Sequence, residues 1–100
     1  MKKIVLLCAL GVSTGMLVKK MQAAAEDAGF DASVEAHSVD DFDEATAGAD
    51  MVLLGPQVSF MVEDLQKKKP EVPVEAINMM AYGTMNGKMV IDRCRKVLGA

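Results

Sequence analysis

Two short segments of this chain are apolar at every position, and they restrict the possible fold more than any other feature. They are residues 4–7 and Met51–Leu54. A strand with one face in water alternates apolar and polar residues, whereas a strand covered on both faces does not. Strands of the second kind belong to parallel sheets, which carry helices on both sides. The two segments therefore predict the central strands of an α/β domain.

Two further segments, residues 32–36 and Val74–Ala76, alternate instead and predict edge strands. Helical patterns separate the strands: residues 14–28, a shorter helix after Ser38, a third helix ending before Pro70, and residues 86–98. Right-handed crossovers then give a four-stranded parallel sheet of order 2-1-3-4 with helices on both faces. We predict a flavodoxin-like three-layer sandwich that forms one domain over residues 1–100.

The buried face of each predicted helix follows from the spacing of its apolar residues. The predicted inward residues are Leu17, Met21, Ala24, Ala25 and Ala28; Phe42 and Ala45; Val58, Met61, Val62 and Leu65; and Met89, Val90, Cys94, Val97 and Leu98.

Composition excludes several classes of protein. The net charge of −3 argues against nucleic-acid binding, because no basic stripe is present to neutralise phosphates. No apolar stretch approaches the roughly 20 residues that cross a bilayer, so we expect no insertion into a membrane. The apolar run after Lys3 is short and breaks at Gly11, which favours a buried strand over a secretion signal. Two cysteines far apart in sequence predict no disulfide framework, and reduced thiols indicate a cytoplasmic protein.

Cys8 stands where the first predicted strand ends and a small-residue loop leads into a helix. A thiol in that position lies under backbone N–H groups and the positive end of a helix dipole, which both favour the nucleophilic thiolate. The same N–H groups could hold the oxygens of a phosphoryl group. The predicted phosphate-binding loop comprises Ala9, Leu10, Gly11, Val12, Ser13, Thr14 and Gly15. In a sheet of order 2-1-3-4, this loop faces Gly55, Pro56 and Gln57 across a crevice between the first and third strands.

Other interpretations of the loop are weaker or stay open. Cys8 can be a small buried hydrophobe, and Ser13 and Thr14 can simply cap the helix. The loop lacks the Gly-Lys-Ser/Thr ending of a Walker motif, and Thr14 stands where a Cys-x5-Arg phosphatase needs arginine. The carboxylates with which a receiver domain holds magnesium are also missing, since Cys8 and Gly55 occupy those places. A loop that accepts a phosphoryl group without hydrolytic or metal equipment suits a relay, and we predict no metal or cofactor.

Three segments resemble the cytosolic IIB component of the bacterial sugar phosphotransferase system, lactose/cellobiose type. They are Ile4-Val5-Leu6-Leu7-Cys8 with the loop through Gly15, Leu53-Leu54-Gly55-Pro56-Gln57-Val58, and Tyr82-Gly83-Thr84-Met85-Asn86-Gly87. The loop of that family usually reads Cys-Ser-Ala-Gly-Met-Ser-Thr-Ser. This chain keeps Cys8, Gly11, Ser13 and Thr14 but lacks the hydroxyls at positions 9 and 15. Phosphate contact would therefore depend more on backbone N–H groups.

The resemblance implies a phosphotransferase component with a phosphocysteine intermediate. Cys8 would accept a phosphoryl group from a phosphohistidine of the IIA component. It would pass the group to a sugar, such as a β-linked disaccharide, bound by the membrane IIC component. Gln57 and Tyr82 are predicted in loops at the rim of the site; a solvated loop amide and an aromatic ring packed under the last helix are the alternative roles. Leu10, Val12 and Met16 are predicted to form an apolar docking patch, to which Met79, Met80 and Met85 could add.

Two alternative functions stay open on the sequence alone. One is a noncatalytic anion- or nucleotide-binding module, although one Tyr and no Trp suit an FMN site poorly. The other is a thiol redox sensor, for which Cys94, on the predicted buried face of the last helix, is a poor resolving partner. His37, the only histidine, could be a phosphocarrier, but a surface or packing role suits its position at an edge strand.

Overall fold

The computed structural model describes residues 1–8 and 15–100 of the chain. Its strands are β1 (Lys2–Cys8), β2 (Ala32–Ser38), β3 (Met51–Leu54) and β4 (Val74–Ala76). They form one four-stranded sheet of order β2-β1-β3-β4 in which each neighbouring pair is parallel. The predicted order is confirmed, and the two continuously apolar segments are the central strands.

Five α-helices connect or follow the strands within the described residues. They are α1 (Gly15–Asp27), α2 (Phe42–Ala45), α3 (Val62–Lys68), α4 (Met79–Gly83) and α5 (Gly87–Leu98). Two stretches of 3₁₀ helix, Val39–Asp41 and Pro56–Met61, lead into α2 and α3. Ser38 caps the first of these turns, because its hydroxyl accepts a hydrogen bond from the Asp40 amide at 3.3 Å.

The side chains of the central strands alternate between two cores. Ile4 and Leu6 face a cluster with α1, α4 and α5, whereas Val5 and Leu7 face a cluster with α2 and α3. Helices therefore cover both faces of the sheet, as the apolar segments predicted. Both cores pack on the same central strands. The carboxyl ends of these strands are therefore fixed from both faces, and side chains placed there have defined positions.

Polar side chains attach helices to the two edge strands. The Gln22 carboxamide of α1 donates to Ala32 O at 2.9 Å and accepts from Val34 N at 3.1 Å. The Gln66 carboxamide of α3 donates to Val72 O at 2.7 Å and accepts from Val74 N at 2.8 Å. These contacts satisfy backbone groups of strands that have a sheet neighbour on one side only.

Several details differ from the sequence prediction. Ala28 was predicted on the inward face of the first helix but is exposed, because α1 ends at Asp27. Tyr82 lies in the short helix α4 and Gln57 in the 3₁₀ stretch, whereas both were predicted in loops. Met89 was predicted on the buried face of the last helix but is 40% exposed. Ile91 is buried in its place, because the face of α5 that meets α1 is centred on Val90, Ile91 and Cys94. The period of 3.6 residues indicates which residues share one face of a helix. Packing against a neighbouring element decides which residue lies at the centre of the buried face.

Candidate functional site

The candidate site lies at the carboxyl edge of the sheet, where β1 and β3 end side by side. Leu7 pairs with Leu54 in the register of these two strands, so Cys8 stands next to Gly55. The Gly55 amide continues the ladder by donating to Leu7 O at 2.8 Å. On the other side, Cys8 pairs with Ser38 at the end of β2. The predicted crevice thus brings the end of β1 beside Gly55.

Cys8 is the last residue of β1, and its side chain is only 1% exposed. The expectation of a thiol ringed by loop amides concerns residues that lie outside the described part of the chain: Ala9, Leu10, Gly11, Val12, Ser13 and Thr14. Gly15 is the first residue of α1, and it is exposed with open space around it. Cys8, the predicted nucleophile, is therefore buried at the end of β1, and both its role and the phosphate-binding loop stay predictions.

Gly55 has a stricter role than the sequence indicated. A Cβ atom added to Gly55 would lie 3.0 Å from Oε1 of Gln57 and 3.5 Å from Cβ of Cys8. A side chain at this position would thus enter the space between the cysteine and the glutamine. The missing side chain lets the Gln57 carboxamide lie beside the strand end that carries Cys8.

Gln57 and Tyr82 contact each other, although 25 positions separate them in sequence. Nε2 of Gln57 donates to the Tyr82 hydroxyl over 3.4 Å, which is long for a hydrogen bond. Gln57 is exposed, and Tyr82 is half-buried where its ring packs on the core formed with α1 and α5. Two residues that were predicted separately for the rim are therefore in contact, and Gln57 connects the pair to Gly55 at the strand end.

Large apolar side chains are exposed on the elements that follow the carboxyl edge. Met16 in the first turn of α1 is 62% exposed, and Met79 and Met80 in the first turn of α4 are 77% and 71% exposed. Phe60, in the 3₁₀ stretch after β3, is 79% exposed and was missed by the sequence analysis. The sequence feature that could have identified Phe60 is an aromatic residue that precedes Met61 and lies outside the predicted buried stripe. We name these four residues the apolar rim.

His37 and Cys94 have surroundings that differ from those of Cys8. His37 pairs with Leu7 in the sheet, so its side chain is on the opposite face from that of Cys8. Its Nε2 atom lies 3.0 Å from Oε1 of Glu35. Cys94 is fully buried in α5, and burial, reinforced by the charge of Glu75, raises the pKa of its thiol to about 12. The predicted structural thiol is confirmed as buried and is held in its neutral form.

The grooves, acidic groups and helices of the described residues give no second candidate site at the carboxyl edge. A groove of about 400 Å³ lies between β4 and α5 and is lined by none of the predicted site residues. In this groove Arg93 makes a bidentate ion pair with Glu75. Within residues 1–8 and 15–100, no group of three or more acidic, histidine or cysteine side chains could hold a metal ion. Over the same residues, each helix is too short or too polar to cross a membrane.

Comparison with known proteins gives consistent matches along the chain. Residues 3–93 match the family model described as "PTS system, Lactose/Cellobiose specific IIB subunit". The chain is 41% identical, over 100 residues, to the PTS system oligo-beta-mannoside-specific EIIB component of Bacillus subtilis (strain 168), covering 98% of this chain and 97% of that protein. It is 45% identical, over 104 aligned positions, to the cellobiose-specific EIIB component of Lactococcus lactis subsp. lactis (strain IL1403), with 97% and 96% covered. A galactose-specific EIIB component of Lactococcus lactis subsp. cremoris (strain MG1363) is 44% identical, with the same coverage.

Solved structures agree with these matches. The cellobiose-specific phosphotransferase IIB component from Borrelia burgdorferi superposes with a TM-score of 0.78 at 35% identity, covering 98% of this chain and 92% of that one. The lactose-specific IIB component domain from Streptococcus pneumoniae has a TM-score of 0.80 at 15% identity, covering 95% of both chains. The second likeness concerns the fold alone. The resemblance found in the sequence is confirmed.

Proposed function

Because the chain belongs to the lactose/cellobiose-specific IIB family of the phosphotransferase system, we propose that it relays a phosphoryl group through Cys8. The observation that carries this proposal is the position of Cys8. It ends a central parallel strand beside Gly55, at the sheet edge where ligands of open α/β folds bind. Cys94, the other thiol, is held neutral inside α5 and is unsuited to nucleophilic attack.

The proposed relay has two balanced steps. The Cys8 thiolate attacks phosphorus of a phosphohistidine on the IIA component, so an S–P bond forms as the N–P bond breaks. The electron pair of the broken bond stays on the imidazole nitrogen, and the former thiol proton neutralises it. A sugar hydroxyl held by the IIC component then attacks phosphorus, and an O–P bond replaces the S–P bond. The electron pair of the S–P bond stays on sulfur, and the proton released by the sugar hydroxyl regenerates the thiol.

The phosphoryl oxygens need hydrogen-bond donors during both steps. We propose that backbone N–H groups from Ala9 to Gly15 provide most of them, helped by the dipole of α1. Since Cys8 is 1% exposed, we expect docking of the IIA component to open access to the sulfur. Burial between transfers would protect the phosphocysteine from water.

Family membership supports a proposal for the partners and for the class of sugar. IIB components of this system function with IIA and IIC partners in general. The relatives are named for different sugars, namely oligo-beta-mannosides, cellobiose and galactose. We propose a β-linked disaccharide as the sugar and the cytoplasm as the location, with residues 1–100 acting as one IIB domain. The apolar rim around the carboxyl edge would be the docking surface for both partners.

Cys8→Ser tests the relay directly. We expect wild-type protein incubated with phosphorylated IIA component to gain one phosphoryl group, located on Cys8 by mass spectrometry. The Cys8→Ser variant should gain none and keep its circular dichroism spectrum, because the two side chains have nearly the same shape. Cys94→Ala is the matched control and should accept phosphate normally.

Other outcomes identify the alternatives. Phosphate on Cys8→Ser protein would exclude Cys8 as the acceptor. Reversible phosphate binding without a covalent adduct would favour an anion-binding module. Oxidation of Cys8 by dilute peroxide, with no phosphoryl adduct, would favour a redox sensor.

A further inference from the structure

We propose that Gln57 and Tyr82 form a carboxamide switch that changes its hydrogen bonding when Cys8 is phosphorylated. In this proposal Gln57 contacts the phosphoryl group, and Tyr82 is the positioning residue that holds Gln57 in place. The inference rests on the proposed function of Cys8 and adds a side-chain contact to the predicted backbone cradle. The juxtaposition that carries it is the Gln57 carboxamide, whose Oε1 lies beside Gly55 at the strand end with Cys8 and whose Nε2 contacts the Tyr82 hydroxyl.

The first step of the argument is the reach of Gln57. Its Oε1 atom and the Cβ atom of Cys8 lie 3.0 Å and 3.5 Å from the point where Gly55 would carry a Cβ. A phosphoryl group on Cys8 extends beyond Sγ, and Gln57 is exposed at the edge where that group must be delivered and collected. The Gln57 carboxamide is therefore close enough to contact a phosphoryl oxygen.

The second step concerns which end of the carboxamide faces Cys8. In the structure Oε1 is the end on the Gly55 side, and Nε2 donates to Tyr82. A carboxamide oxygen suits a neighbouring thiol but repels a phosphoryl dianion. The two ends have nearly the same shape, so a half-turn about the last side-chain bond replaces the acceptor by an N–H donor.

Tyr82 can serve both orientations. A phenol hydroxyl accepts a hydrogen bond from Nε2 in one orientation and donates to Oε1 in the other. The Tyr82 ring is held by its packing on the core, and α4, which carries it, is capped by Asn78, whose side chain accepts hydrogen bonds from Met80 N and Ala81 N. The hydroxyl thus stays in place while the amide turns over.

The neutral charge of the switch suits a relay. An arginine at this place would stabilise the phosphocysteine strongly and slow its onward transfer. A carboxamide contributes a weaker hydrogen bond, so the phosphoryl group is held but can still leave. This is the specific role that the position of Gln57 indicates.

The test measures the equilibrium constant for phosphoryl exchange between the IIA component and Cys8. An equilibrium constant for the free proteins does not depend on the rate of docking, so it separates this role from a partner contact. We expect Gln57→Glu to lower the constant about tenfold, because the carboxylate lacks donors and repels the phosphoryl group. Tyr82→Phe should lower it by roughly threefold, since the ring stays but the hydroxyl is lost.

Thr84→Glu is the matched control for charge. Thr84 is exposed and follows α4, so the variant adds one negative charge near Tyr82 and leaves the carboxamide intact. Its equilibrium constant should stay within about twofold of the wild type, because exposed charges are screened. An unchanged constant in Gln57→Glu, or an equal loss in Thr84→Glu, would overturn the switch.

A second measurement uses the wild-type protein alone. The side-chain ¹⁵N–¹H signals of Gln57 should shift on phosphorylation of Cys8 and return when the phosphoryl group is removed. The carboxamides of Gln22 and Gln66, which hold the edge strands, should not shift. Stationary Gln57 signals in phosphorylated protein would overturn the switch but leave the relay intact. A wild-type protein that gains no phosphoryl group would overturn both.

Discussion

The two thiols of this protein have different surroundings, although both are buried. Cys94 lies in the middle of α5, inside the core shared with α1, and burial is the main reason why its pKa rises to about 12. Glu75 raises the pKa further, and Arg93 opposes the rise. Cys8 ends a strand beside a glycine and an exposed carboxamide. Position relative to an element end, more than burial, separates the proposed reactive thiol from the structural one.

The raised pKa of Cys94 predicts a loss of stability in alkaline solution. The folded state keeps the thiol protonated, whereas the unfolded chain releases the proton above its ordinary pKa of 9.0. The stabilising contribution is therefore complete below pH 9.0 and is lost as the pH rises toward about 12. The free energy of unfolding should fall by up to about 1.4 kcal/mol per pH unit from this group.

Denaturant titrations at several alkaline pH values measure this slope. Cys94→Val lacks the ionisable group, so its free energy of unfolding should fall less steeply over the same interval. Equal slopes for the variant and the wild type would show that the thiol is not the group responsible.

At the level of elements, the crossing of α1 and α5 depends on Gly87. A Cβ atom at this position would lie 2.4 Å from the Lys20 carbonyl carbon and 2.6 Å from Met21 N. Both are backbone atoms, which cannot move without moving α1. The glycine therefore sets how closely the two helices approach, and with it the packing of Met21 against Val90 and Ile91.

Gly87→Ala should destabilise the fold by about 1–3 kcal/mol, because overpacking at a helix crossing outweighs the helix-forming preference of alanine. Gly83→Ala is the matched control, since a Cβ at Gly83 meets nothing within 4 Å. Its effect on stability should stay within about 0.5 kcal/mol. Thermal or urea unfolding of the two variants checks the comparison, and equal stabilities would contradict the close crossing.

For the molecule as a whole, the carboxyl edge of the sheet collects both the proposed nucleophile and the apolar rim. Met16, Phe60, Met79 and Met80 belong to three elements that follow three different strands. Because the strands are parallel, the elements that follow them begin at one edge. The topology alone thus brings distant parts of the chain together as a surface suited to partners.

Met80→Lys should weaken binding of the IIA component about tenfold, because a charge would be buried at the interface. Stability should hardly change, since Met80 is 71% exposed. Ala28→Lys is the matched control, because it adds the same charge at an exposed position. Ala28 follows the last residue of α1, whereas Met16 of the apolar rim lies in the first turn of that helix. Titration calorimetry measures both affinities, and equal affinities would place the docking surface elsewhere.

The sequence was sufficient for the strands, their order and the position of Cys8. The continuous apolar character of residues 4–7 and Met51–Leu54 is a local property of the chain. It indicates strands that are buried on both faces. The order of the strands followed from the assignment of two central and two edge strands, combined with the right-handed crossover that holds for nearly all parallel connections. The family resemblance added the proposed chemistry of Cys8, which periodicity does not encode.

Only the tertiary structure decided which side chains meet. The contact of Gln57 with Tyr82, the position of Gln57 beside Gly55, and the exposure of Phe60 and Met89 were not predictable from spacing. Local patterns specify the period of an element, because they reflect backbone geometry over a few residues. Rotation and approach of packed elements depend instead on contacts between residues far apart in sequence. For that reason the sequence determined the scaffold and the place of Cys8 in it, and tertiary packing determined which side chains stand beside that residue.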